Sequence, residues 1–132
     1  MFWKKPTTKH PQFGTLTYSN DCWTSGEIST AAGVVIINIE GDKTGPSEAS
    51  IAVAAKVLAQ PQAVVTNAIT FAQANTDARE FISGNGDITL DGFSFKSHDG
   101  SFQVNLALSN WPDAMIDVVF KDGVPCEVLL AD

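Results

Sequence analysis

Basic residues are scarce in this chain. Its 132 residues carry 8 Lys and Arg against 15 Asp and Glu, a formal net charge of −7. Three of the eight, Lys4, Lys5 and Lys9, fall in the first ten positions, so positions 11–132 hold five basic and fifteen acidic residues, a balance of −10. A body so acidic repels phosphate backbones, which argues against a nucleic-acid partner. Charged residues of both signs make up only 17%, whereas hydrophobic residues reach 44%, a content that excludes intrinsic disorder. No apolar run approaches the ~18 residues of a membrane helix, and no membrane association is expected. No short repeat points to collagen or a coiled coil.

Cysteine and histidine are equally sparse, at two each. Cys22 and Cys126 stand far apart in sequence. A bridge between them is one arrangement, and free buried thiols are the commoner one where no export signal is present. Phe2-Trp3-Lys4-Lys5-Pro6 has basic residues but no apolar stretch behind them, so it does not read as a secretory signal. Asn-x-Ser/Thr acceptor sites are absent. A cytoplasmic protein without cofactor is the expectation.

The length fits one domain. Residues 1–12, with Pro6 and Pro11, read as a flexible basic N-terminal arm, and 13–132 as a single α+β domain. Phe13–Tyr18, Cys22–Thr30 and Val34–Ile39 read as strands, the last apolar on both faces except for Asn38 and therefore expected to be central and covered on both sides. After Gly41–Pro46 the period changes. Ile51, Ala55 and Leu58 recur at helical spacing behind Thr44 or Ser47 as N-cap. Gln60-Pro61 closes that helix and opens a second, which carries Val64, Ala68, Phe71, Ala72, Ala78 and Ile82 on one face. Asn75 interrupts the stripe, and Asp77 and Glu80 have capping-box spacing, so a break and restart are expected there.

From Ile88 onward the period returns to two. The loop Ser97–Gly100 pairs Phe95 with Phe102 and Phe93 with Val104; one extra residue at Asp91-Gly92, a β-bulge, then pairs Leu90 with Leu106 and Ile88 with Leu108. In the last hairpin a three-residue loop, Lys121-Asp122-Gly123, pairs Phe120 with Val124 and Val118 with Cys126. The order βββ-αα-ββββ predicts an antiparallel sheet of six or seven strands with two helices on one face. Phe93, Phe95, Phe102, Val104, Leu106, Ile116, Val118 and Phe120 are expected to face those helices.

Chemistry-bearing patterns are few. Asp87, Asp91, Asp99, Asp113, Asp117 and Asp122 fit neither an EF-hand nor a zinc spacing, and most adjoin turn or bulge glycines. No metal site is assigned. Cys22 and His98 are the only plausible thiol–imidazole pair away from the tail, with nothing in their spacing to support catalysis, while Cys126, between Val124 and Val128, reads as a small core residue. No Gly-x-Ser-x-Gly elbow exists, and Gly84-Asn85-Gly86 follows a helix instead of leading into one. No catalytic residue is assigned. Trp111, in Ser109-Asn110-Trp111-Pro112-Asp113, is either a lid on the edge of the core or a binding anchor, with Asp113 as a charge beside it.

Phe13-Gly14-Thr15-Leu16, then Trp23, Gly26 and Ile28, followed by a β-rich run, helices and a terminal meander, resemble a group of small bacterial domains of unknown function. Acidic single-domain α+β immunity proteins are similar by analogy of fold. The expected function is a non-catalytic protein-interaction module, an immunity-like inhibitor of a basic partner, with Trp111 and Asp113 at the binding site. The alternative is a small hydrolase-type enzyme using a carboxylate pair on the sheet, with Asp117 as its first member.

Overall fold

A computed structural model describes residues 4–96 and 99–132. Within them the chain builds one large sheet of ten strands and three helices. The strands are β1 (Thr7–His10), β2 (Gly14–Ser19), β3 (Cys22–Ser25), β4 (Ile28–Thr30), β5 (Gly33–Asp42), β6 (Gly45–Pro46), β7 (Ile88–Phe95), β8 (Phe102–Leu108), β9 (Trp111–Lys121) and β10 (Val124–Ala131). The helices are α1 (Glu48–Ala59), α2 (Pro61–Ala74) and α3 (Thr76–Ile82).

The α+β class holds, but the sheet is larger than six or seven strands. Strand pairing already begins at Thr7, opposite Thr17, inside the segment expected as an arm. Cys22–Thr30 splits into β3 and β4, both paired to β5. Between them Ser25 turns its hydroxyl inward and accepts a hydrogen bond from the Ile37 N–H at 2.9 Å, replacing the ladder bond lost at the break. Gly45–Pro46 adds a two-residue strand against Gly41 and Asp42.

Along its main path the sheet runs β1-β2-β3-β5-β7-β8-β9-β10. All neighbours are antiparallel except β5 and β7, where Ile36 faces Gly92 and Ile39 faces Phe95 in parallel register. A purely antiparallel sheet is therefore ruled out. The helical segment carries the chain back to the end at which β5 began, and a parallel neighbour needs such a crossover. Two antiparallel meanders thus meet at one parallel seam.

Local chemistry explains the helix limits. Ser47 caps α1 by accepting from the Ser50 N–H, and Pro61 opens α2 at its first position. The chain turns by 90° between these two helices. Asn75 ends α2 and caps α3, its Oδ1 accepting from the Ala78 N–H at 2.9 Å, so the expected break makes three helices instead of two. No single helix among the described residues is long and apolar enough to cross a membrane.

The β7–β8 hairpin pairs as its parity requires. Ile88 faces Leu108, Leu90 faces Leu106 and Phe93 faces Val104, with the register shift between Leu90 and Gly92. Residues 97 and 98 of the connecting loop, His98 among them, lie outside the described residues. All eight side chains expected to face the helices are buried, in one core with Ala54 and Val57 of α1 and Ala68 and Ala72 of α2.

Two expectations are corrected at the sheet. The β9–β10 turn has two residues, Asp122 and Gly123, both with positive φ, and pairs Phe120 with Pro125. Positive φ at both positions matches the twist of the flanking strands. A bulge between Pro125 and Glu127 then restores the pattern, pairing Val118 with Val128, and leaves Cys126 exposed, not in the core. Secondly, β5 is central but covered on one side only: Val35, Ile37 and Ile39 are buried, while Val34 is 52% and Ile36 43% exposed.

Candidate functional site

With the helices on one side, none of the described residues covers the opposite face of the sheet, where Val34, Ile36, Met115 and Leu129 are exposed. Strand alternation sends Ile36 and Asn38 of β5, Ser94 of β7, Asn105 of β8, and Met115 and Asp117 of β9 to that face. Register then aligns polar residues from different strands. Thr17 faces Thr24, Thr24 faces Asn38 and Asn38 faces Ser94. Asn105 faces Asp117, which faces Leu129. A polar row therefore crosses the open face from β2 to β9.

Hydrogen bonds along this row are directional. The Thr24 hydroxyl donates to Asn38 Oδ1 at 2.8 Å. On the other side of the seam, the Ser94 hydroxyl donates to Asn105 Oδ1 at 3.1 Å, and Asn105 Nδ2 donates to Asp117 Oδ1 at 2.8 Å. Accepting through its oxygen and donating through its nitrogen, the Asn105 amide has a single consistent orientation. The chain of donors ends on a carboxylate, where a hydrogen bond is charge-assisted.

Around the row the face is hollowed by about 560 Å³, with Ile36, Asp91, Asn105, Met115 and Asp117 among its lining and Lys96 at one end. Asp91 is there because of the bulge: the extra residue ahead of Gly92 turns an acidic side chain to the open face. Gly92 itself cannot carry a side chain, since a Cβ would collide with the Ile36 carbonyl oxygen across the seam. Met115 is 50% and Leu129 43% exposed, so apolar surface flanks the carboxylates. The Phe rings of β7, β8 and β9 are all buried on the helix side.

A second hollow, of about 710 Å³, lies beyond the carboxyl ends of β5 and β7, bordered by Cys22, Glu40, Asp42, Ser47 and Lys96. Such a crevice is where open sheets with parallel strands receive ligands. Here much of its polar chemistry serves the turns that form it. Asp42 Oδ1 accepts from the Thr44 N–H and hydroxyl, which holds its carboxyl below the usual range. The Trp23 indole N–H donates to the Asp42 carbonyl at 3.0 Å. The Tyr18 hydroxyl donates to Asp21 Oδ1, and that acceptor raises its pKa. Burial pushes the Cys22 thiol up, only partly offset by Lys96, so it is protonated near neutral pH and a poor nucleophile. Among the described residues no three His, Cys, Asp or Glu side chains converge as metal ligands.

Trp111 lies elsewhere. Its ring packs on Phe81 of α3 at 4.5 Å between centroids, closing the edge of the core. Asp113 is exposed two residues ahead of Met115. Of the residues that the sequence brought forward, Asp117 and Asp91 meet in the hollow and Trp111 does not line it. Ser94, Asn105, Ile36 and Met115 were not singled out. One signal was present, Asn38 as the polar residue in an otherwise apolar strand. No protein family, no curated protein and no solved structure matches the chain.

Proposed function

We propose that the protein is a non-catalytic interaction module that holds a basic protein partner, as an immunity-like inhibitor does, on the open face of its sheet. The observation that carries this reading is the uncovered face itself, with apolar side chains beside carboxylates. The eight strands of the main path, ~4.8 Å apart and about seven residues long on average, make a face of roughly 900 Å². A partner in a stable complex contributes about 800 Å². The charge of −7 steers a basic partner, and it opposes pairing with a second copy, which would set the same carboxylates against each other. With the Phe rings of β7, β8 and β9 turned inward, the described residues of the face offer none of the stacking platforms that single-stranded nucleic acids use. In this proposal Asp113 adds a carboxylate at the rim, and Trp111 anchors the start of β9 beside it.

Capture from a lysate of the native cells tests the reading. A basic protein should be recovered at about 0.05 M salt and released at about 0.5 M, because screening shortens the reach of the field. Met115→Lys should abolish recovery and Trp111→Ala weaken it, while Glu80→Lys on the exposed side of α3 leaves it unchanged. A catch that survives Met115→Lys, or is indifferent to salt, contradicts the proposal.

The hydrolytic alternative has one supporting observation, that Asp91 and Asp117 line the same hollow. Two strand spacings separate their strands, about 10 Å, near the upper end of the separation used by inverting glycosidases. Hydrolysis of chromogenic glycosides lost in both Asp91→Asn and Asp117→Asn would favour it over the binding module.

A further inference from the structure

We infer that Asp117 is the anchor of this face and that the group it receives is an arginine side chain of the partner; the inference rests on the binding reading above. Three features converge on it. Asp117 is half-buried on β9, and its Oδ1 is already held by Asn105, itself held by Ser94. Among the described residues, no protein donor reaches Oδ2. The carboxylate is therefore held through one oxygen, with the other left to accept from a ligand, so binding orders little besides the incoming side chain.

The surroundings select what arrives. Asp91 stands beside Gly92, which faces Asn105, which faces Asp117, so the second carboxylate lies in the same row two strands away. Lys96 is at the other end of the hollow, where it also borders Cys22, leaving this end net negative. Ile36 and Met115 supply apolar walls. A ligand with an apolar stem and a cationic head fits, and two separated carboxylates favour a head that donates in several directions. A guanidinium has five donors in a planar fork and is weakly hydrated, whereas an ammonium is a compact, strongly hydrated point.

The test is a titration of the isotope-labelled full chain with a short peptide of alternating arginine and alanine at low salt, followed by NMR. The same peptide with lysine is the comparison. The arginine peptide should move the Asn105 side-chain amide and the Ile36 and Met115 methyl resonances, and bind at least about threefold more tightly than the lysine peptide. Asp117→Asn keeps an acceptor for Asn105 and should fold normally, yet weaken binding by about tenfold, the worth of one charge-assisted contact. Asn105→Ala should weaken it less, and Asp113→Asn by less than twofold. If the peptide shifts the open face but Asp117→Asn has no effect, or lysine binds as well as arginine, the anchor is wrong while the docking face stands. If no open-face resonance moves, the underlying reading fails as well.

Discussion

Gly92→Ala should destabilise the protein by roughly 3 kcal/mol or more, or prevent folding. Replacing glycine with alanine at an ordinary backbone position usually stabilises slightly, by about 0.4–1 kcal/mol, because the unfolded chain loses freedom. The contact decides otherwise here. The new Cβ would collide with the Ile36 carbonyl oxygen and lie 2.9 Å from its carbonyl carbon, both main-chain atoms that cannot swing aside. Relief requires β7 to move away from β5, which opens the one parallel pairing that joins the two meanders. Overpacking costs about 1–3 kcal/mol, and each buried backbone group left without its partner about 1–3 more. Gly26→Ala is the control, since its Cβ meets nothing within 4 Å, and it should change stability by less than about 0.5 kcal/mol. Urea unfolding of the two variants checks the pair. Equal, small effects would show that the seam is not so closely packed.

Phe102→Ala should cost about 3–5 kcal/mol. Phe102 is 7% exposed and stacks on Phe120 at 4.9 Å between centroids, with Phe95 at 5.8 Å. The three rings come from β8, β9 and β7, so one truncation leaves a cavity shared by three strands beneath α1 and α2. The thin helices, with Ala54, Ala68 and Ala72 at their buried positions, already lie close to the sheet and have little room to collapse further. The unfolding midpoint should fall with an unchanged slope against denaturant. A loss below about 1 kcal/mol would mean that this side of the sheet is not the core.

Both predictions draw on what parity alone discloses. Alternation over Phe102–Leu108 assigns a face to each side chain. The change of parity between Leu90 and Phe93 locates the bulge at Asp91-Gly92. Asn75 in an apolar stripe and Pro61 after Gln60 mark the helix junctions, because each is a poor fit to a helix interior. Strand direction is different: alternation says which face a residue takes, not which strand lies beside it, so the parallel seam of β5 and β7 was not legible. The same limit applies to Val34 and Ile36, whose apolar run reads alike whether or not a second layer covers it. At the last hairpin, the bulge at Cys126 shifts the phase and conceals a two-residue turn.

The candidate site was legible only in fragments for the same reason. Asp117 and Asn38 were visible as polar residues in apolar strands. Ser94 and Asn105 looked like ordinary solvated positions, since only register sets Ser94 against Asn105 and Asn105 against Asp117. Trp111 drew attention by size, and its ring is occupied by Phe81.

The most direct measurement is carboxylate footprinting of the captured complex, with carbodiimide coupling of glycine ethyl ester to Asp and Glu and mass spectrometry of the products. Binding on the open face predicts that Asp91 and Asp117 lose reactivity in the complex, while Glu48, Asp77 and Glu80 of the helices react as in the free chain. Protection of the helix carboxylates with Asp91 and Asp117 unchanged would contradict the account.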